Sequence, residues 1–218
     1  MHKLEADSIQ LNFNSRPILS SIYIKIETGK VSALLGRNGA GKSCLMQIIY
    51  GQLACEKSIR IDGKYCELRQ TNSSLILYLP QKNYIPRSLS LQKIFKDYQI
   101  VFSTFEEYFP QFKGKIKSCM GELSGGDARI VNIYCLLNRE SMFLLLDEPF
   151  TYISPIDIEK IKNLISLAKE TKGILLSDHQ YKHVLDINDN VYFLSNGKTY
   201  FCKDEEDLKD HGYLGREV

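Results

Sequence analysis

The sequence predicts an α/β fold built around a parallel sheet, on three observations. Short apolar runs of strand length alternate with helical patterns through most of the 218 residues. One such run, Val31 to Leu35, feeds directly into a glycine-rich segment that opens a helix. Another, Met142 to Leu146, is apolar at every position, as expected of a strand buried on both faces.

The elements follow in order. Ser8 to Phe13 alternates, and Ile18 to Ile26 places Ile22, Ile24 and Ile26 on one face. Both read as short strands, and Thr28-Gly29 marks a turn. Ser43 to Tyr50 reads as a helix stopped by Gly51. Ser58 to Ile61 is a strand turned by Asp62-Gly63, and Leu75 to Leu79 is a compact apolar strand. From Lys82 the character changes: Leu91, Ile94, Phe95 and Tyr98 recur at helical spacing, broken by Pro86, Pro110 and Gly114. This predicts an inserted helical subdomain over about 82–125. After Gly126 a helix runs to about Arg139, with Ile130, Val131, Ile133, Tyr134, Leu136 and Leu137 on a broad apolar face. Pro155 to Thr171 is a helix with proline in its first turn, and Gly173 to Ser177 and Asn190 to Leu194 are further strands. Residues 1–218 are expected to form one domain with the helical lobe inserted.

Composition excludes more than it selects. Hydrophobic residues make up 44% and charged residues 25%, ordinary for a globular chain. With 28 basic and 26 acidic residues the net charge is +2, so bulk charge gives no argument for nucleic acid, and no basic tract appears. Six cysteines stand apart with no CxxC pair, which reads as reduced thiols. The N-terminus has no apolar leader, and no stretch reaches the roughly 20 apolar residues of a membrane helix. A cytoplasmic location is expected, with docking on a membrane component left open.

The chemistry starts at Gly36-Arg37-Asn38-Gly39-Ala40-Gly41-Lys42-Ser43, which fits G-x-x-x-x-G-K-[ST] at every fixed position. Glycines let successive backbone N–H groups point inward at phosphate oxygens. The following helix adds its N-terminal donors. Lys42 supplies a full charge for the β- and γ-phosphates, and the Ser43 hydroxyl can ligate Mg²⁺. A chance glycine turn is the alternative, but a strand before and a helix after are the context this mechanism requires.

Asp147 and Glu148 stand at the carboxyl end of the apolar strand, where open α/β sheets bind ligands. Asp147 is suited to hold Mg²⁺ and Glu148 to act as general base toward an attacking water. An ordinary polar strand end before Pro149 is the alternative.

Further residues fit one family. Leu123-Ser124-Gly125-Gly126-Asp127 precedes the helix ahead of the acidic strand, Gln81 follows the strand ending at Leu79, and His179 follows the strand ending at Ser177. Phe13 lies in the first strand region. With these motifs in this order, the chain resembles the ATP-binding subunits of ABC transporters from about Leu4 to Tyr200. The resemblance implies a P-loop NTPase core with an N-terminal antiparallel β subdomain and the inserted helical subdomain, and ATP and Mg²⁺ as ligands. Gln81 would be the loop residue sensing Mg²⁺ and water, and His179 the histidine touching the γ-phosphate. Phe13 would be the aromatic stacked on adenine. Ser124, Gly125 and Gly126 would contact ATP held by a second ATP-binding subunit, identical or not. Physically, a serine and two glycines at a helix N-terminus do form an anion site. The resemblance further implies separate transmembrane permease subunits, a place on the inner face of the membrane, and no nucleic-acid partner.

Three positions depart from the family. Cys44 replaces a threonine, and near a helix N-terminus its pKa is expected to fall. Asp127 replaces a glutamine, and Ser154 stands where an aspartate is usual. These leave a regulatory or weakly hydrolytic ATP-binding module as the alternative to an active ATPase. Relatives in DNA repair or translation share the motifs, but carry coiled coils or two ATP-binding halves.

Overall fold

The computed structural model describes residues 1–14, 16–67 and 74–214. Of the expected domain of 1–218, residues 15, 68–73 and 215–218 lie outside the described residues. Two sheets organise the chain. The antiparallel one is built on β1 (Lys3–Phe13), which pairs with β2 (Arg16–Leu19), β3 (Tyr23–Glu27) and β5 (Glu56–Ile61). β6 (Lys64–Tyr65) closes a hairpin on β5. Its turn, Asp62-Gly63, has φ of +52° and +76°, the left-handed pair that a tight hairpin needs.

The continuous strand expected over Ile18 to Ile26 is two strands. β2 pairs with the far half of β1, Leu11 facing Leu19, while β3 pairs with the near half, Lys3 facing Glu27. Between them the N–H groups of Ser20 and Ser21 both donate to the Gly197 carbonyl, at 2.8 and 3.1 Å. That distant acceptor takes the backbone out of the ladder.

The second sheet has six strands: β4 (Val31–Leu35), β7 (Ile76–Leu79), β8 (Phe143–Asp147), β9 (Gly173–Ser177), β10 (Asn190–Ser195) and β11 (Lys198–Cys202). Their spatial order is β11-β10-β4-β9-β8-β7, parallel except for β11. Both faces are buried, so alternate residues of each strand feed two different cores. Leu34, Tyr78, Leu145 and Leu175 join the inner face of β1 and Leu45, Met46, Ile48 and Ile49 of α1 (Lys42–Tyr50). Leu35, Leu79, Leu146 and Leu176 join α4 (Gly125–Asn138) and α5 (Pro155–Ala168).

The inserted lobe holds two short helices, α2 (Leu91–Asp97) and α3 (Phe102–Tyr108), and single 3-10 turns at Pro110–Phe112 and Met120–Glu122. Phe105 is its centre. Its ring lies 4.9 Å from Phe95, 5.2 Å from Phe109, 4.7 Å from Phe112 and 4.8 Å from Tyr134 of α4. Aromatic area fixes the lobe to α4, since helices of seven residues have little stability of their own. α6 (Tyr181–Leu185) and α7 (Glu205–Asp210) complete the chain.

Candidate nucleotide site

The strand order explains how motifs 140 positions apart in sequence become neighbours. β4, β9, β8 and β7 lie side by side and parallel, and their carboxyl ends share one edge. The glycine-rich loop leaves β4, His179 follows β9, Asp147 ends β8 and Gln81 follows β7. A single sheet edge therefore collects four of the predicted motifs.

The loop's glycines are conformational requirements. Gly39 and Gly41 have φ of +79° and +103°. A Cβ on Gly36 would sit 2.5 Å from the Leu194 carbonyl oxygen. Lys42 is buried, and its Nζ donates to the Gly36 carbonyl at 2.7 Å and the Arg37 carbonyl at 3.2 Å. Burial pulls its pKa down, while the charges of Glu148, Asp147 and Asp178 pull it back up. Asn38, Gly39, Gly41, Lys42, Ser43 and Cys44 line a cleft of about 490 Å³, together with Phe13, Ile18, Gln81 and Glu148. Phe13 stands half exposed at this cleft. Gly36, Arg37 and Ala40 belong to the loop without lining it; the Arg37 guanidinium turns away to the Gly212 carbonyl at 3.2 Å.

Gln81 joins the predicted metal and base positions. Its Nε2 donates to Ser43 Oγ at 3.0 Å and to Glu148 Oε1 at 2.9 Å. Glu148 has φ of +50°, uncommon for a side chain of its size, and its N–H donates to the Ser177 carbonyl at 2.7 Å. His179 Nδ1 lies 3.9 Å from Glu148 Oε2 and 3.4 Å from Asp178 Oδ1. Asp178 does more than face the histidine. It is buried, and its oxygens accept from the backbone N–H groups of Phe150 at 2.8 Å and Gln180 at 2.9 Å, which fixes the segment carrying His179.

Asp147 is almost fully buried. Burial raises its pKa, with the Ser43 and Tyr78 hydroxyls acting in the opposite direction. Tyr78 donates to Oδ2 at 3.1 Å, while Oδ1 has no hydrogen-bond partner among the described residues. An orphaned buried carboxylate oxygen beside a serine hydroxyl is the donor set that a hard, oxygen-seeking cation takes. These residues fit Mg²⁺.

Sequence reading missed Arg129. This guanidinium is 3% exposed. It donates to the carbonyls of Pro80 at 2.6 Å, Asp147 at 2.5 Å and Glu148 at 3.0 Å. It thus ties the end of β7, just before Gln81, to the acidic pair. Burial lowers its pKa to about 10 against the pull of Asp147, Asp178 and Glu148. A charged residue four positions before Ile133, on the apolar face of a helix, was the available signal.

Ser124, Gly125 and Gly126 do not reach the phosphate loop of their own chain. Ser124 and Gly125 line a separate cleft with Asn83, Arg87 and Leu123. Ser124 caps α4: its Oγ accepts from the Asp127 N–H at 3.0 Å and donates to Asp127 Oδ2 at 2.8 Å. Gly126 is required by packing, because a Cβ there would sit 2.2 Å from the Tyr152 carbonyl oxygen. Ser154 caps α5 in the same way as Ser124 caps α4, with Asp157 in the role of Asp127. The expectation for Cys44 is corrected: its thiol is half-buried, and burial with the nearby Asp147 charge pushes its pKa up, against the opposing hydrogen bond from its own backbone N–H.

Among the described residues no helix is long and apolar enough to cross a membrane. The family model described as ABC transporter matches residues 19–151. The lipopolysaccharide export system ATP-binding protein LptB of Haemophilus influenzae is 29% identical, over 91% of this chain and 89% of that protein. The energy-coupling factor transporter ATP-binding protein EcfA1 of Thermotoga maritima is 28% identical, over 99% and 87%. A solved ATP-binding subunit of an ABC transporter superposes with a TM-score of 0.79 at 22% identity, covering 98% of this chain and 95% of that one. The ATP-binding cassette MJ1267 of an ABC transporter gives 0.77, also at 22% identity, over 96% and 94%. The chain belongs to the ABC transporter family, as one of its ATP-binding ATPase subunits.

Proposed function

We propose that this subunit hydrolyses Mg-ATP to drive transport through separate transmembrane subunits, paired with a second ATP-binding subunit in an ATP sandwich. The observation that carries the reading is the Gln81 bridge between Ser43 and Glu148. It joins a predicted metal ligand and a predicted base within one cleft. Ser43 and Asp147 would hold Mg²⁺, with Gln81 contributing its amide oxygen after a half-turn of the amide. Bound there, the cation would neutralise charge on the phosphate oxygens.

The chain's own groups supply the rest. Lys42 exchanges the two loop carbonyls for phosphate oxygens. Glu148 accepts a proton from the attacking water; Gln81 Nε2 holds that carboxylate before the amide turns its oxygen to the cation, and the turn releases the carboxylate to the water. His179, at the same edge, reaches the terminal phosphate. Phe13 offers its exposed ring to the adenine. Ser124 to Gly126, remote from the chain's own loop, suit the phosphate held by a partner subunit. The names of its relatives span lipopolysaccharide export and branched-chain amino acid transport at nearly equal identity, 29% and 28%. Substrate choice therefore belongs with the membrane subunits, and their attachment would hold this chain at the membrane's cytoplasmic face. A weakly hydrolytic role is the second reading, favoured by the Asp127 carboxylate that occupies the Ser124 hydroxyl.

Glu148→Gln tests the leading reading. In the complex assembled with its membrane subunits, turnover should fall by about 100-fold or more, the scale of a lost general base. ATP binding should persist and the paired state should accumulate. Unchanged hydrolysis would remove Glu148 from the role of base.

A further inference from the structure

Tyr78 carries the only polar side-chain atom of β7, which reads Ile76-Leu77-Tyr78-Leu79 and is buried throughout. A phenol on a strand covered on both faces needs a partner for its hydroxyl. The sheet register supplies one. β7 runs parallel to β8, with Tyr78 opposite Leu145. Residues two apart on a strand share a face, so Asp147 lies on the face of Leu145, one step further along. Tyr78 and Leu145 pack in the core that α1 covers. The phenol bridges the step and donates to Asp147 Oδ2 at 3.1 Å. Its ring packs 5.4 Å from that of Tyr50, the last residue of α1.

This bond makes the two oxygens of Asp147 unequal. Oδ2 is engaged, while Oδ1 has no hydrogen-bond partner among the described residues. A carboxylate held at one oxygen cannot turn both toward one cation without giving up the bond. Divalent cations differ in what they ask of a carboxylate. Mg²⁺ demands near-octahedral geometry, keeps several waters, and takes single oxygens from one or two carboxylates beside the substrate phosphates. Ca²⁺ gathers about six to eight oxygens in flexible geometry and readily takes both oxygens of one carboxylate.

We infer that Tyr78 is a positioning residue that sets cation specificity: by engaging Oδ2 it limits Asp147 to single-oxygen ligation, and so favours Mg²⁺ over Ca²⁺ as the companion of ATP. This rests on the reading of Asp147 as a holder of the cation. Tyr78 does not line the cleft at the phosphate loop, so it acts through Asp147 without touching nucleotide. Removing its hydroxyl leaves Oδ2 without this donor and opens Asp147 to two-oxygen ligation.

The test is equilibrium binding of ATP to the full chain in Mg²⁺, in Ca²⁺ and in EDTA. In wild type Mg²⁺ should strengthen binding more than Ca²⁺ does. Tyr78→Phe keeps the ring and loses the hydroxyl. Its ratio of Kd in Ca²⁺ to Kd in Mg²⁺ should fall by about 10-fold, the scale of one hydrogen bond to a charged group, while Kd in EDTA stays at the wild-type value. Tyr78→Met fills similar space without a hydroxyl and should shift the ratio the same way. Asp147→Asn reports on the cation site itself and should bring the three Kd values together. If both Tyr78 variants keep the wild-type ratio while Asp147→Asn loses the response to both cations, the role of Tyr78 is refuted and the cation site stands. If they weaken binding equally in all three conditions, or wild type binds no better with Mg²⁺ than with Ca²⁺, the inference also falls. If Asp147→Asn responds to Mg²⁺ as wild type does, the reading of Asp147 falls and the inference with it.

Discussion

Replacing Arg129 with methionine tests whether one buried side chain holds the acidic strand end in place. The guanidinium serves the carbonyls of Pro80, Asp147 and Glu148. Methionine fills similar space but donates nothing, so three buried acceptors lose their donor. Each unsatisfied group costs about 1–3 kcal/mol. Against this, the change removes a buried charge whose Nε has no partner among the described residues. One-sided removal of a buried ionic partner balances these at a net of about 3–5 kcal/mol. That is a large share of the roughly 5–15 kcal/mol that stabilises a domain. At about 2–4 °C per kcal/mol for a chain of this length, melting should fall by some 6–20 °C. Arg129→Lys keeps the charge and one or two of the bonds, and should fall by about 1–2 kcal/mol. Thermal and urea unfolding read both variants. A methionine variant melting within 2 °C of wild type would refute the reasoning, since the carbonyls would then have another source of donors.

Two further predictions concern stability. In Gly126→Ala the new Cβ would lie 2.2 Å from the Tyr152 carbonyl oxygen. Overpacking of about 1–3 kcal/mol should exceed the helix propensity gain of about 1 kcal/mol. Gly125→Ala meets nothing within 4 Å and should melt at or above wild type; the reverse ranking would sink the packing account. Asp147→Asn concerns pH. A carboxyl whose folded pKa is raised keeps its proton in the folded state after the unfolded chain has released it. Stability therefore falls as pH rises from its unfolded value toward its folded one, and the penalty is fully present above that. Asparagine should stabilise the nucleotide-free protein at neutral pH and flatten the acid-side slope, while removing the cation's effect on ATP binding. Melts across the acid range would contradict this if the slope were unchanged.

The sheet edge was legible because its strands are short, apolar and punctuated. Val31–Leu35 and Gly173–Ser177 match the expected spans residue for residue. What failed depends on partners far along the chain. Nothing within Ile18 to Ile26 announces that Gly197 will capture the Ser20 and Ser21 donors. β11 was signalled by Asn196-Gly197, with φ of +49° and +73°, and by the strand-forming run Thr199-Tyr200-Phe201, and sequence reading missed it. The motif residues could be named singly, yet the Gln81 bridge could not, because it requires β7 to lie beside β8. Cys44 went wrong because local position was weighed without burial.

The departures at Asp127 and Ser154 have different consequences, although both belong to one local device. In each, a serine caps a helix and an aspartate three residues on accepts its hydroxyl. Serine and aspartate cap helices about equally well, so Ser154 does the structural work expected of an aspartate there. Asp127 instead adds a carboxylate to a surface proposed to meet phosphate. At an effective dielectric near 20, two unit charges 4 Å apart repel by about 4 kcal/mol, enough to offset the donors of the helix terminus. The phosphate loop has the buried Lys42 for this purpose; the Ser124 cleft has Arg87 at its lining, whose guanidinium donates to the Gly121 carbonyl at 3.2 Å. On the proposed reading the two surfaces cannot be interchangeable. Nucleotide must load on the loop first, where Lys42 and the cation neutralise it. A phosphate already neutralised is then what the second subunit's Ser124 surface can close upon.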